Sequence, residues 1–291
     1  MCGRLACTLN PDEISAKCEY MSSKEKLEKP EWIHNDQEYK PVFNGPPTTV
    51  VAVLSSNKNL KLDKTSSTEF CLIPMRWGML PSFKTEATGN FHTHNARIEN
   101  ILKSNLYKPS LMSGKRCVII TEGYYEWQTT PGENLKQPFF LYQNPDGPKF
   151  ESKKNLIKLA GLFNISKDGD SVKYSCTVLT READSSMAWM HYRMPVILNT
   201  REEVNNWLNY EEIEYKEAID RLPKYEDCKK EFRLKHHAVN KTFVNNSSCN
   251  EAKCMQPAAA KYAYLSTLHD TNIQVGYTYS CLQPFHFRPI S

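Results

Sequence analysis

The sequence predicts an α+β fold, on three observations. Segments rich in β-branched and aromatic residues outnumber those with helical periodicity. The two kinds do not alternate regularly, which argues against a doubly wound parallel sheet. No internal repeat and no clear linker interrupts the chain before about residue 245, so a single domain is expected over residues 1–257, followed by a tail at 258–291.

The elements follow in order. Cys2–Leu9 reads as extended chain, and Pro11, Asp12 and Glu13 open a helix to about Tyr20, the two acids favouring its positive N-terminal end. Lys24–Lys29 is a charged run of the kind that forms a solvated loop. Pro41–Asn44 is extended, Thr48–Leu54 is a Val- and Thr-rich strand, and Ser55–Thr68 is a polar connection. Phe70–Ile73 is a strand running into a proline-stiffened loop, Pro74–Pro81. Further strands are predicted at Cys117–Thr121, Phe139–Tyr142, Leu159–Phe163, Tyr174–Leu179 and Pro195–Leu198. Helices are predicted at Arg97–Asn105, Thr180–Met190, Glu202–Leu208 and about Glu212–Leu222. From Ala258 the chain is rich in Tyr, Thr and His without a clean period, and reads as a loosely packed surface extension.

A chain of 291 residues with 40% apolar and 11% aromatic content can fill a sizeable core. No stretch approaches the roughly 18 apolar residues of a membrane span. Arg4, Asp12 and Glu13 stand where a secretory leader would be apolar, so an intracellular protein with no membrane association is expected. The 10 cysteines are scattered, with no Cys-x-x-Cys pair, and are expected to be buried thiols. Cys249 and Cys254 follow His236 and His237 at a spacing poor for zinc, and neither a metal nor another cofactor is expected. A net charge of +4 permits a basic groove without demanding one. Any case for nucleic-acid binding must come from local constellations.

Cys2 is small enough for removal of Met1, which would leave an α-amine and a thiol on one residue. Such an aminothiol meets an aldehyde through a Schiff base, which the thiol then closes into a thiazolidine ring. Gly3 permits close backbone approach, and Arg4 offers a charge suited to a phosphodiester. In Asn95-Ala96-Arg97-Ile98-Glu99, Asn95 suits a substrate hydroxyl or the nucleophile and Arg97 a phosphate, the alternative being a helix cap with a salt bridge. In Glu122-Gly123-Tyr124-Tyr125-Glu126-Trp127, desolvation between aromatics would raise the carboxyl pKa, making Glu126 a general acid or base, with Glu122 competing for the role. In His191-Tyr192-Arg193-Met194-Pro195, the His191 ring could pass protons, with Arg193 on the same side of an extended chain, the alternative being a structural histidine with its hydrogen bonds satisfied. Arg76, Trp77 and Phe83 offer a cation and stacking rings for unpaired bases, against a core tryptophan beside a surface arginine.

Taken in order, Met1-Cys2-Gly3-Arg4, Pro74-Met75-Arg76-Trp77-Gly78, Asn95-Ala96-Arg97, Glu122–Trp127 and His191–Pro195 resemble the SRAP (SOS response-associated peptidase) family. The resemblance implies one α+β domain on a curved, barrel-like, mainly antiparallel sheet with peripheral helices. It also implies a groove for single-stranded DNA and a thiazolidine crosslink from Cys2 to the ring-opened sugar of an abasic site. Asn95 would hold Cys2 and the sugar, Glu126 would assist ring opening and proton transfer, and His191 would stabilise the intermediate and assist strand chemistry or reversal. Arg4, Arg76, Arg97 and Arg193 would bind phosphates, and Trp77 would pack at the DNA path. A monomer at nuclear replication forks is implied, though the tail lacks the Lys-rich linker and Gln-containing motif expected for sliding-clamp binding. Two other readings stay open: a Cys2-dependent peptidase, and a non-covalent reader of modified bases.

Overall fold

A computed structural model describes residues 2–35, 37–60, 68–82, 92–128, 136–143, 155–168, 171–225 and 234–258. Phe83 and the tail beyond Ala258 lie outside the described residues. The N-terminal half forms β1 (Arg4–Cys7), β2 (Tyr20–Met21), β3 (Leu27–Glu28), β4 (Glu31–Trp32), β5 (Val42–Gly45), β6 (Val50–Ser56), β7 (Phe70–Trp77) and β8 (Asn95–Arg97), of which β6 and β7 are buried on both faces. The remaining strands are β9 (Arg116–Thr121), β10 (Gly123–Gln128), β11 (Gln137–Gln143), β12 (Ile157–Asp168), β13 (Ser171–Glu182), β14 (Arg193–Pro195), β15 (Ile197–Leu198) and β16 (Leu234–Ala238). They make an α+β domain whose barrel-like frame comprises a five-stranded sheet, in the order β16-β11-β10-β1-β5, and a nine-stranded sheet built around β12, β9, β6 and β7.

The two sheets meet where β9 turns into β10. Thr121 Oγ1 donates to Ala6 O at 2.8 Å, and the Glu122 carboxylate accepts from the Thr8 amide and, at 2.8 Å, from the Thr8 hydroxyl. Glu122 is therefore a corner clamp on the N-terminal segment. Gly123 sits where the ring of Phe140 presses on the backbone; a Cβ there would lie 2.3 Å from Phe140 Cζ. The inward faces of both sheets bury one cluster containing Cys2, Leu5, Ile73, Trp77, Ile119, Tyr124, Phe139 and Phe163.

Several expectations are corrected. The chain does not become helical at Thr180: β13 continues to Glu182, because its Thr180 is paired on both sides, with Arg97 of β8 and Pro195 of β14. Turns follow up to His191. The strand begun at Phe70 runs through Pro74 to Trp77 instead of giving way to a loop. Proline is tolerated there because, although it lies opposite Ala52 of β6, its backbone groups face the other edge, where β4 pairs only at Cys71 and Leu72 and β13 only at Arg76 and Trp77. The helix expected at Arg97–Asn105 is a 3-10 turn over Ile98–Lys103, and Asn95, in β8, does not cap it. The helix expected at Glu212–Leu222 contracts to Tyr215–Asp220. Two helices have reciprocal caps: Pro11–Lys17, from Asn10 and Glu13, and Arg201–Leu208, from Thr200 and Glu203.

Candidate functional site

Antiparallel pairing sets Arg4 opposite Tyr125 and Leu5 opposite Tyr124, so the first residues of the chain run back alongside Glu126. Cys2 is fully buried. Its carbonyl accepts a 2.6 Å hydrogen bond from Asn95 Nδ2, which reaches across from β8. Burial, and then the nearby Glu126 carboxylate, push the Cys2 thiol far above its ordinary pKa. The thiol therefore keeps its proton at neutrality. Glu126 is itself 4% exposed, and burial raises its pKa against the opposing hydrogen bond from the Trp127 amide. An alternating strand projects Tyr124 and Glu126 on one face. Together with His191, Arg193, Leu141 and the methionines Met187, Met190 and Met194 they line a small cleft open to solvent.

His191 is half-buried, and desolvation lowers its pKa to about 4. Its Nδ1 accepts from the Arg193 amide at 2.9 Å. A neutral ring whose Nδ1 accepts carries its proton on Nε2, so His191 can donate from that nitrogen at pH 7. Thus Glu126 and His191 line one cleft, and Cys2, tied by its carbonyl to Asn95, lies near Glu126.

The arginines divide into two groups. Arg193 is 7% exposed and forms a two-pronged ion pair with Glu99, one Nη2–Oε2 contact being 3.0 Å, while Nη2 also donates to Thr180 O at 2.7 Å. These bonds tie Arg193, which also lines the cleft, to Glu99 and to β13. Arg193, with Arg97 adding, holds Glu99 below the usual carboxylate range. Arg97 is exposed at the end of β8, while Arg76 is half-buried and donates to Gly78 O. Arg4 donates to Asn44 Oδ1 at 3.2 Å. Trp77 is completely buried, its Nε1 donating to His94 O at 2.9 Å, so its ring is part of the core and presents no stacking surface. Sequence reasoning missed Tyr124 and the methionine wall, whose signal was the spacing of Met187, Met190 and Met194. It also missed Asn44, a buried polar residue with no motif around it. Among the described residues no group of three or more His, Cys, Asp or Glu is placed to hold a metal.

The sequence profile of SOS response associated peptidase (SRAP) matches residues 1–247. The chain belongs to the SRAP family. Among SRAP relatives, the abasic site processing protein HMCES of Xenopus tropicalis is 35% identical over 274 residues, covering 88% of this chain and 78% of that protein. The abasic site processing protein YoqW of Bacillus subtilis is 30% identical over 175 residues, covering 59% of this chain and 68% of its own length. A crystal structure of a protein from Bacteroides thetaiotaomicron shares the fold, with a TM-score of 0.63 at 17% identity over 88% of this chain and 100% of that one. Among the described residues no helix is long and apolar enough to cross a membrane.

Proposed function

We propose that this SRAP protein processes abasic sites in single-stranded DNA by forming a covalent thiazolidine link through Cys2 once Met1 has been removed. The observation that carries the reading is the Asn95 hydrogen bond to the Cys2 carbonyl, which holds the future N-terminal residue beside Glu126 at the cleft. The names of the HMCES and YoqW relatives supply the substrate. With the thiol protonated, the α-amine is the better first nucleophile. Its lone pair attacks the sugar aldehyde, and the carbinolamine loses water to give an imine. The Glu126 carboxyl, whose proton affinity burial raises, delivers a proton to the departing hydroxyl and recovers one from the nitrogen. The Cys2 S–H then adds across C=N, sulfur to carbon and proton to nitrogen, closing the ring. His191 donates from Nε2 to the sugar oxygen during ring opening and on reversal. Exposed Arg97 meets phosphate, as do the partly buried Arg4 and Arg76. The protein acts as a monomer on nuclear DNA, needs no cofactor, and is confined in this activity to residues 1–257.

Met-processed protein mixed with single-stranded DNA carrying one abasic site should give a shifted band on a denaturing gel, absent with Cys2→Ala and with intact DNA. No band, with Met1 removal verified by mass, would overturn the reading. The family's description as a peptidase supports a second one, in which Cys2 cleaves a peptide without DNA. The buried, protonated thiol argues against it, since a peptidase needs a thiolate.

A further inference from the structure

Large aromatic side chains normally bury most of their surface, so one left in water beside a cleft calls for a physical account. Tyr192 is 60% exposed, and it is the one exposed aromatic among the described residues. Its position is fixed: the Tyr192 carbonyl accepts from the Ala183 amide at 2.9 Å, tying the backbone to the end of β13. Its ring stacks on His191 with centroids 4.5 Å apart and planes 24° apart. His191 lines the cleft, so the pair forms a two-ring step at its rim, one face of the outer ring against His191 and the other in solvent.

We propose that Tyr192 is a substrate-positioning residue whose solvent-facing ring stacks a nucleobase next to the abasic site. The inference rests on the abasic-DNA reading and adds a subsite to it. An abasic sugar offers no base to grip, so the strand must be held through its neighbours. A flat, pre-positioned ring does this for any base, because every base has a π face. Stacking on Tyr192 would continue the Tyr192–His191 stack and set the baseless sugar over the cleft, within reach of His191 and Glu126. A leucine at this position would keep the bulk and lose the stacking surface.

The test compares wild type, Tyr192→Leu and Tyr192→Phe on two oligonucleotides with one abasic site each. In one, the neighbours are ordinary nucleotides; in the other, they are tetrahydrofuran spacers, which have no base and no aldehyde. With ordinary neighbours, Tyr192→Leu should raise the half-saturating DNA concentration for adduct formation by about tenfold, with the maximal rate little changed, while Tyr192→Phe stays near wild type. With spacers, wild type and Tyr192→Leu should coincide. Equal behaviour on ordinary DNA, or a leucine deficit that persists on the spacer DNA, overturns the proposal, the latter placing the effect on His191 instead of a base. Adduct formation by wild type on ordinary DNA keeps that failure separate. Its absence sinks the abasic-DNA reading and the Tyr192 subsite with it.

Discussion

At the scale of single residues, the cleft depends on groups whose environments hold them in particular protonation states. Asn95→Ala removes one hydrogen bond to the Cys2 carbonyl without opening the core, since Asn95 lies at a strand end. Adduct formation should slow about 3- to 10-fold, the worth of roughly 1 kcal/mol of positioning, with little change in melting temperature. His191 supplies a pH signature with a definite sign. Its folded pKa, about 4, is below the unfolded value of about 6.5. Between those values the unfolded chain binds a proton that the folded chain refuses, so this residue erodes stability as pH falls from about 6.5 toward 4. Chemical denaturation at stepped pH should show that erosion shrink in His191→Gln. The rate of adduct formation should have no His191 inflection between pH 6 and 7, where the ring is already neutral. An inflection there that disappears in His191→Gln would contradict the lowered pKa.

At the scale of elements, close packing at the sheet corner places the glutamate. Gly123→Ala would drive a Cβ against Phe140 and within 2.5 Å of Leu141 O, and neither can retreat, because β10 and β11 pair along six residues. The expected loss is about 3 kcal/mol, measurable by urea unfolding, and the adduct should be lost in parallel as Glu126 is displaced. The Val-rich strands were legible, and so was the helix predicted at Glu202–Leu208, which the structure has at Arg201–Leu208; the strand beyond that glycine was not, its residues being read only as a cluster of acids and aromatics. Thr180–Met190 was not. Glu182, Ala183 and Met187 are good helix formers with no proline to interrupt them, yet the first three residues of the segment remain in β13, where pairing on both edges outweighs propensity. Nor was β16, whose sequence Leu-Lys-His-His-Ala has little β preference and is ordered by the long partner β11. Arg193 shows the same limit for function. Its charge was evident, but its partner Glu99 lies 94 residues away, and only the fold shows the two side by side.

At the scale of the whole molecule, the beginning and end of the domain are joined through one side chain. The Asn44 amide nitrogen donates to three carbonyls of the closing segment, Val244, Asn246 and Cys249, each at 3.2 Å, and its oxygen accepts from Arg4. Arg4 also reaches Val244 O at 3.5 Å. Strand β1, which starts at Arg4, is thus pinned to a segment some 240 residues later, which no local pattern could announce. Asn44→Ala leaves those carbonyls, two of them in buried contacts, with fewer donors and Arg4 without its side-chain acceptor. A loss of about 2–4 kcal/mol is expected, or roughly 5–10 °C in melting temperature. Lys40→Ala, which removes only an exposed pair with Glu38, should stay within about 0.5 kcal/mol. The loss should be unevenly distributed. Hydrogen exchange should quicken first in residues 241–257 and in β1 and β5, leaving the β12–β13 ladder protected, because the amide joins the first group and touches none of the second. Uniform acceleration across both sheets would show instead that the domain opens only as one unit, and that the two ends are held by the sheet frame rather than by Asn44.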